Sequence, residues 1–181
     1  MFPHTVFVHK GWFRDQEVTP VPTKVERTTN SVIVTYGKKD DSIGFSDRVI
    51  NPKKLPMVHT DKFYMPNNTR VDYIYGENER GFVITSTCTP ISPWRTKVYT
   101  CISYRLGILQ STAALWLPWY TRKVIEQDVE IMKIQRDGIN GDDVTFKSTG
   151  ADLPHIYIEA LRDAAVAGKQ PPRPQIREID F

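Results

Sequence analysis

The sequence predicts an α+β domain, a curved antiparallel β-sheet whose apolar face is covered by helices near the carboxyl end. Three observations carry this. Segments rich in Val, Ile, Thr and Tyr run from Lys24 to Arg105, helical spacing takes over after Ser111, and 40% apolar with 11% aromatic residues in 181 positions supply one sizeable core. The organisation expected is a single domain over residues 1–170 with an extended tail over 171–181, and a pocket where the sheet grips a helix.

Each element has its own signal. "VERTT" and "VIVTYG" are β-rich and separated by Asn30-Ser31, which predicts a hairpin. "NPKKLPMVHT" is broken by Pro52 and Pro56 and reads as a loop, which puts His59 in that loop. "TRVDYIYG" and "GFVITSTCT" flank the turn-like "ENER", and "RTKVYTCISYRL" follows a Pro-bounded connection. In that last strand Val98, Thr100, Ile102 and Tyr104 share one face, and Tyr99, Cys101 and Ser103 the other. From Trp119 to about Gln135, Tyr120, Val124 or Ile125, Ile131 and Met132 recur at helical spacing, with Pro118 as a start or kink and Gly138 as a stop. After Asn140-Gly141 a second helix opens at Asp152 with Pro154 in its first turn and runs through Ile156, Ile158, Leu161 and Ala165 to Gly168. The closing "KQPPRPQIREIDF" reads as extended.

Charge narrows the function classes. The 24 basic and 21 acidic residues leave +3, scattered as Lys38-Lys39, Lys53-Lys54 and Arg122-Lys123 rather than massed in a stripe, so nucleic acid is not an expected partner. With no apolar run of spanning length and no signal pattern, the expectation is a soluble cytoplasmic protein with no membrane partner. A hairpin turning near Pro90 to Trp94 sets Cys88 opposite roughly Lys97 and far from Cys101, which predicts two free thiols. Lacking Cys-x-x-Cys and Cys-x-His pairs, these 181 residues hold no ligand set for a [2Fe-2S] cluster.

Two of the four histidines fall in "HTVFVH", as His4 and His9. A step of five aims both rings together on neither a regular helix nor a strand, but a π-like turn would do so. Asp128 lies between Val124/Ile125 and Ile131/Met132, near the apolar stripe of its helix. A carboxylate there needs compensation, either from a buried Arg or Tyr, from a position at the stripe's edge, or from a metal shared with His4 and His9. Two imidazoles and one carboxylate on one face of iron(II) leave positions open for oxygen and substrate. His59 and His155 read as exposed or locally hydrogen-bonded, and Asp142 and Asp143 as turn residues. Phe82, Tyr99, Tyr104, Trp116 and Trp119 read as core first and pocket lining second.

"FPHTVFVHKGWF", "TPISPWRTKVY" and "IEQDVEIMKIQ", closed by "STGADLPHIYIEALRDAA", resemble in order the catalytic domain of Rieske non-haem iron oxygenases, in the branch of vanillate demethylase-like monooxygenases. The resemblance implies a helix-grip fold (START-like, Bet v 1-like) and makes His4, His9 and Asp128 the metal-ligating, catalytic residues for one mononuclear Fe(II). It also implies O2 and a small apolar or aromatic substrate as partners, an external Rieske or ferredoxin electron donor, and a homotrimer. The family's Asp three residues before the first histidine is Met1 here, and the family's Rieske domain has no counterpart in these residues. The competing expectation is a helix-grip binding module that holds a hydrophobic ligand without redox chemistry.

Overall fold

A computed structural model describes residues 21–37, 51–76, 80–107, 110–139 and 147–180. Val, Ile and Thr run through β1 (Pro22–Arg27) and β2 (Ser31–Tyr36), whose hairpin registers Val25 opposite Val34. The Thr28 hydroxyl closes the turn by accepting the backbone N–H groups of Asn30 and Ser31 at 3.2 and 3.0 Å. A meander follows as β3 (Met57–Tyr64), β4 (Asn68–Tyr75), β5 (Arg80–Ser92) and β6 (Arg95–Arg105). Helix α1 (Gln110–Ile139), a 3-10 turn (Gly150–Asp152), α2 (Leu153–Val166) and β7 (Gln175–Asp180) complete the described chain. The seven described strands form one antiparallel sheet in the order β6-β5-β4-β3-β2-β1-β7, and with the two helices they give the α+β architecture expected.

Four local expectations change. The segment after Pro56 is strand β3 and not a loop. Proline is tolerated just before a first strand residue, and His59 pairs with Tyr73 inside the sheet. Helix α1 starts nine residues earlier than Trp119, so Pro118 and Gly138 both lie within it. Its start is fixed by Gln110, whose side chain accepts the Leu106 N–H at 3.0 Å and donates to the Tyr104 carbonyl at 3.3 Å. The closing segment is extended as expected, but it docks as β7 along β1, with Val25 opposite Arg177. Cys88 faces Val98 rather than Lys97, because the β5–β6 ladder is irregular between Pro90 and Ser92, and Cys101 lies across from Thr85. Both thiols are free of disulfides.

Strand alternation divides the sheet into two faces. On the inner face Val25, Val32, Val34 and Phe63 pack under Tyr157 and Leu161 of α2, each fully buried side chain contributing about 1.5–3 kcal/mol. A second cluster joins Met57, Tyr75 and Leu106 to Ala113 at the start of α1. Asp152 precedes α2, and its carboxylate accepts both the backbone N–H and the hydroxyl of Thr149, at 2.7 and 3.0 Å. Gly168 ends the helix at φ 61°, a conformation glycine adopts without steric cost. On the outer face Asp72 is buried among cations, with Lys62 Nζ at 2.6 Å and Arg70 Nε at 2.7 Å.

Candidate functional site

Between the inner face of the sheet and α1 lies a cavity of about 1280 Å³. Its floor is the apolar side of β4, β5 and β6, including Val71, Ile84, Val98, Ile102 and Tyr104, and thus the face of β6 read from its alternation. Its roof is a stripe of α1 in which Trp116, Tyr120, Val124, Asp128 and Met132 recur every four residues. The helical periodicity of the sequence anticipated most of this stripe. Phe82, Tyr104 and Trp116 line the cavity, whereas Tyr99 and Trp119 are exposed.

Asp128 is the one acidic side chain among the described residues lining this cavity, and it is half-buried. It borders a chamber that is mostly apolar, with Lys133 and Arg136 of the same helix also in the lining. His4 and His9 lie outside the described residues, so the convergence of the three is not described. Among the described residues no group of three His, Cys, Asp or Glu side chains is arranged to hold a metal. A carboxylate is one of the donor types that a mixed imidazole–carboxylate iron site uses.

Of the two readings from sequence, exposed or locally hydrogen-bonded, His59 takes the second: it is 7% accessible, bonded to Asp61 two residues on, and at the cavity wall. It belongs to a row of rings that crosses the sheet. Tyr36, His59, Tyr73 and Phe82, on β2, β3, β4 and β5, stack at centroid separations of 4.5, 4.3 and 4.6 Å, and Tyr104 on β6 stands opposite Phe82. The His59 Nε2 lies 3.2 Å from Asp61 Oδ1, and the Tyr36 hydroxyl donates to Asp61 Oδ2 at 2.8 Å. Burial, reinforced by the Asp61 charge, holds the Tyr36 hydroxyl well above the ordinary phenol range, so it remains a donor to that carboxylate. The sequence signal for this cluster was the alternation Met57, His59, Asp61, Phe63, masked by its two polar members. His155 is exposed on α2 and pairs with Glu159 at 3.2 Å, in keeping with a local role.

A family model described as the vanillate O-demethylase oxygenase C-terminal domain matches residues 2–157. The chain belongs to this family. The resemblance read from the sequence, to the catalytic domain of Rieske oxygenases, is thereby borne out. Solved structures share the fold of this oxygenase domain. NdmA of Pseudomonas putida CBB5 with caffeine superimposes with a TM-score of 0.66 at 17% identity, covering 92% of this chain and 46% of that one. The NdmA QL mutant with theobromine gives 0.64 at 17% identity, covering 97% and 49%, and NdmB gives 0.57 at 14%, covering 91% and 44%. The oxygenase domain described here therefore spans about half the length of the solved chains it matches. No curated protein sequence matches it. None of its described helices is long and apolar enough to cross a membrane.

Proposed function

We propose that this chain is the oxygen-activating portion of a Rieske-type non-haem iron oxygenase, with iron(II) held by His4, His9 and Asp128 and a small apolar or aromatic substrate in the cavity between sheet and α1. The observation that carries the reading is Asp128, the single described acid on the cavity wall, set on the roof stripe between Val124 and Met132. Iron(II) in such a site supplies the redox chemistry by which O2 hydroxylates or demethylates a substrate. The protein's own part is binding and exclusion: Trp116, Tyr120 and Val124 from the roof and Ile84 and Ile102 from the floor hold an apolar molecule and displace water from beside the Asp128 carboxylate. Electrons come from a Rieske or ferredoxin donor outside these residues, and the protein works in the cytoplasm as a homotrimer.

Anaerobic titration with ferrous iron tests the reading. Saturation is expected near one ion per chain, with His4→Ala, His9→Ala and Asp128→Ala each weakening iron binding at least tenfold. Unchanged iron affinity in all three variants would refute it. The size of the apolar cavity also supports a second reading, a ligand-binding module without iron. Native mass spectrometry separates the two, since an organic ligand retained with no iron and no iron uptake favours the binding module.

A further inference from the structure

Exposure and charge change along the length of the chamber. At one end the lining is closed and largely aromatic, with Leu106 1% accessible beside Tyr73, Phe82 and Tyr104. In the middle the Ser86 and Thr100 hydroxyls are bonded to each other at 3.0 Å, so that part of the wall is polar but uncharged. At the other end Trp94, Arg95, Lys133 and Arg136 are exposed, and the chamber opens to water. From Trp116 at the closed end to Arg136 at the open one, α1 spans about 30 Å at helical rise, and the strand path from Tyr104 back to Arg95 covers about as much. The charges are segregated too. Arg95, Lys133 and Arg136 stand at the open end, whereas Asp128 lies about 12 Å of helix further in than Arg136. Asp137 Oδ1 partly neutralises Arg136 at 2.8 Å, and Glu130 holds Lys133 more loosely at 3.7 Å. Arg95 pairs with no acidic side chain among the described residues.

We propose that the chamber takes an elongated amphiphilic acid, an apolar chain ended by a carboxylate, and that Arg95 holds the carboxylate at the open end with Lys133 and Arg136 beside it. This rests on the cavity being the ligand site and adds the length and charge of the occupant. A carboxylate sheds its water at high cost in an apolar interior, so such an acid leaves its head at the wet end and buries only its chain. Entry head first would instead strand the carboxylate among Val71, Ile84 and Ile102. The Arg95 guanidinium meets a carboxylate through two parallel N–H···O bonds, while the other two cations add to the attraction without that fixed geometry.

The test uses decanoate, decanol and decylammonium, which share one chain and carry a negative, neutral or positive head. They are titrated against the whole chain without added metal and followed by tryptophan fluorescence, since Trp94 and Trp116 line the chamber. Decanoate is expected to bind about tenfold tighter than decylammonium, and about twofold to fourfold tighter for each methylene added from octanoate upward. Arg95→Gln changes an exposed side chain, and is expected to cut the preference for decanoate over decylammonium by about threefold or more while decanol stays within about twofold of the parent. Lys169→Gln removes a cation outside the cavity and is expected to leave the preference intact. Equal affinity for the two charged probes, affinity that ignores chain length, a preference that survives Arg95→Gln, or one that falls as far in Lys169→Gln would overturn the proposal. Arg95 is not among the proposed iron ligands and the titrations contain no iron, so failure here is distinguishable from failure of the oxygenase reading.

Discussion

Removing Asp72 measures how much the outer face of the sheet contributes to stability. The residue is 4% accessible, and its carboxylate takes the Lys62 ammonium at 2.6 Å, the Arg70 guanidinium at 2.7 Å and the Thr60 hydroxyl at 3.2 Å. Burial alone would push its pKa up, but the bonds from Lys62 and Arg70 outweigh it and hold the carboxyl below its ordinary value of 3.8. A charge-assisted bond is worth about 1.5–3 kcal/mol. Arg70 is 44% exposed and rehydrates when released, so most of the loss falls on Lys62, which is 22% exposed. Asp72→Ala should therefore cost about 3 kcal/mol, or about 6–12 °C in midpoint for a domain of this size. Urea melts followed by circular dichroism read this directly. A group whose folded pKa is depressed contributes stability above its unfolded value and loses it as pH falls through the folded one. The gap between parent and Asp72→Ala should thus be full above the ordinary value of 3.8 and shrink below it. A loss under about 1 kcal/mol at neutral pH, or a gap that stays constant into strong acid, would refute the reasoning.

Two further substitutions test the packing of the sheet. Leu161→Ala removes a side chain 2% accessible on the sheet-facing side of α2 and should cost about 2–5 kcal/mol in the same urea melts, with α2 losing amide protection first. Gly81→Ala sets a methyl group against the Tyr73 carbonyl at a φ of +153°, and is expected to cost at least about 2 kcal/mol and loosen the β4–β5 pairing, read by hydrogen exchange at Tyr73 and Phe82.

What could be read from the residues alone follows from where their signals were local. The β1–β2 hairpin, the strands around "ENER" and the free thiols follow from β-branched runs, turn residues and simple register, and the single-place error at Cys88 comes from a ladder irregularity that no pattern announces. Strand β3 was hidden because its inward positions include His59 and Asp61, polar residues that become tolerable only once they bond each other and Tyr36. Strand β7 was hidden for a different reason. Pro171, Pro172 and Pro174 advertise a tail, and the pairing with β1 is a contact between residues about 150 positions apart in the chain. For α1, Pro118 looked like a boundary, whereas the start at Gln110 depends on bonds to Leu106 and Tyr104 at the end of β6. The inward setting of Asp128 followed from helical spacing, but the chamber it faces required the sheet.

The row of rings from Tyr36 to Tyr104 also acts as a gauge for strand alignment. Side chains alternate between faces, so sliding any of these five strands by one residue would swing its ring to the opposite surface and leave a gap among its neighbours. The chemistry of the chamber floor and the fidelity of strand assembly are therefore encoded in the same five positions. Replacements that reshape the floor must stay flat and ring-like, or they will degrade folding before selectivity can be measured.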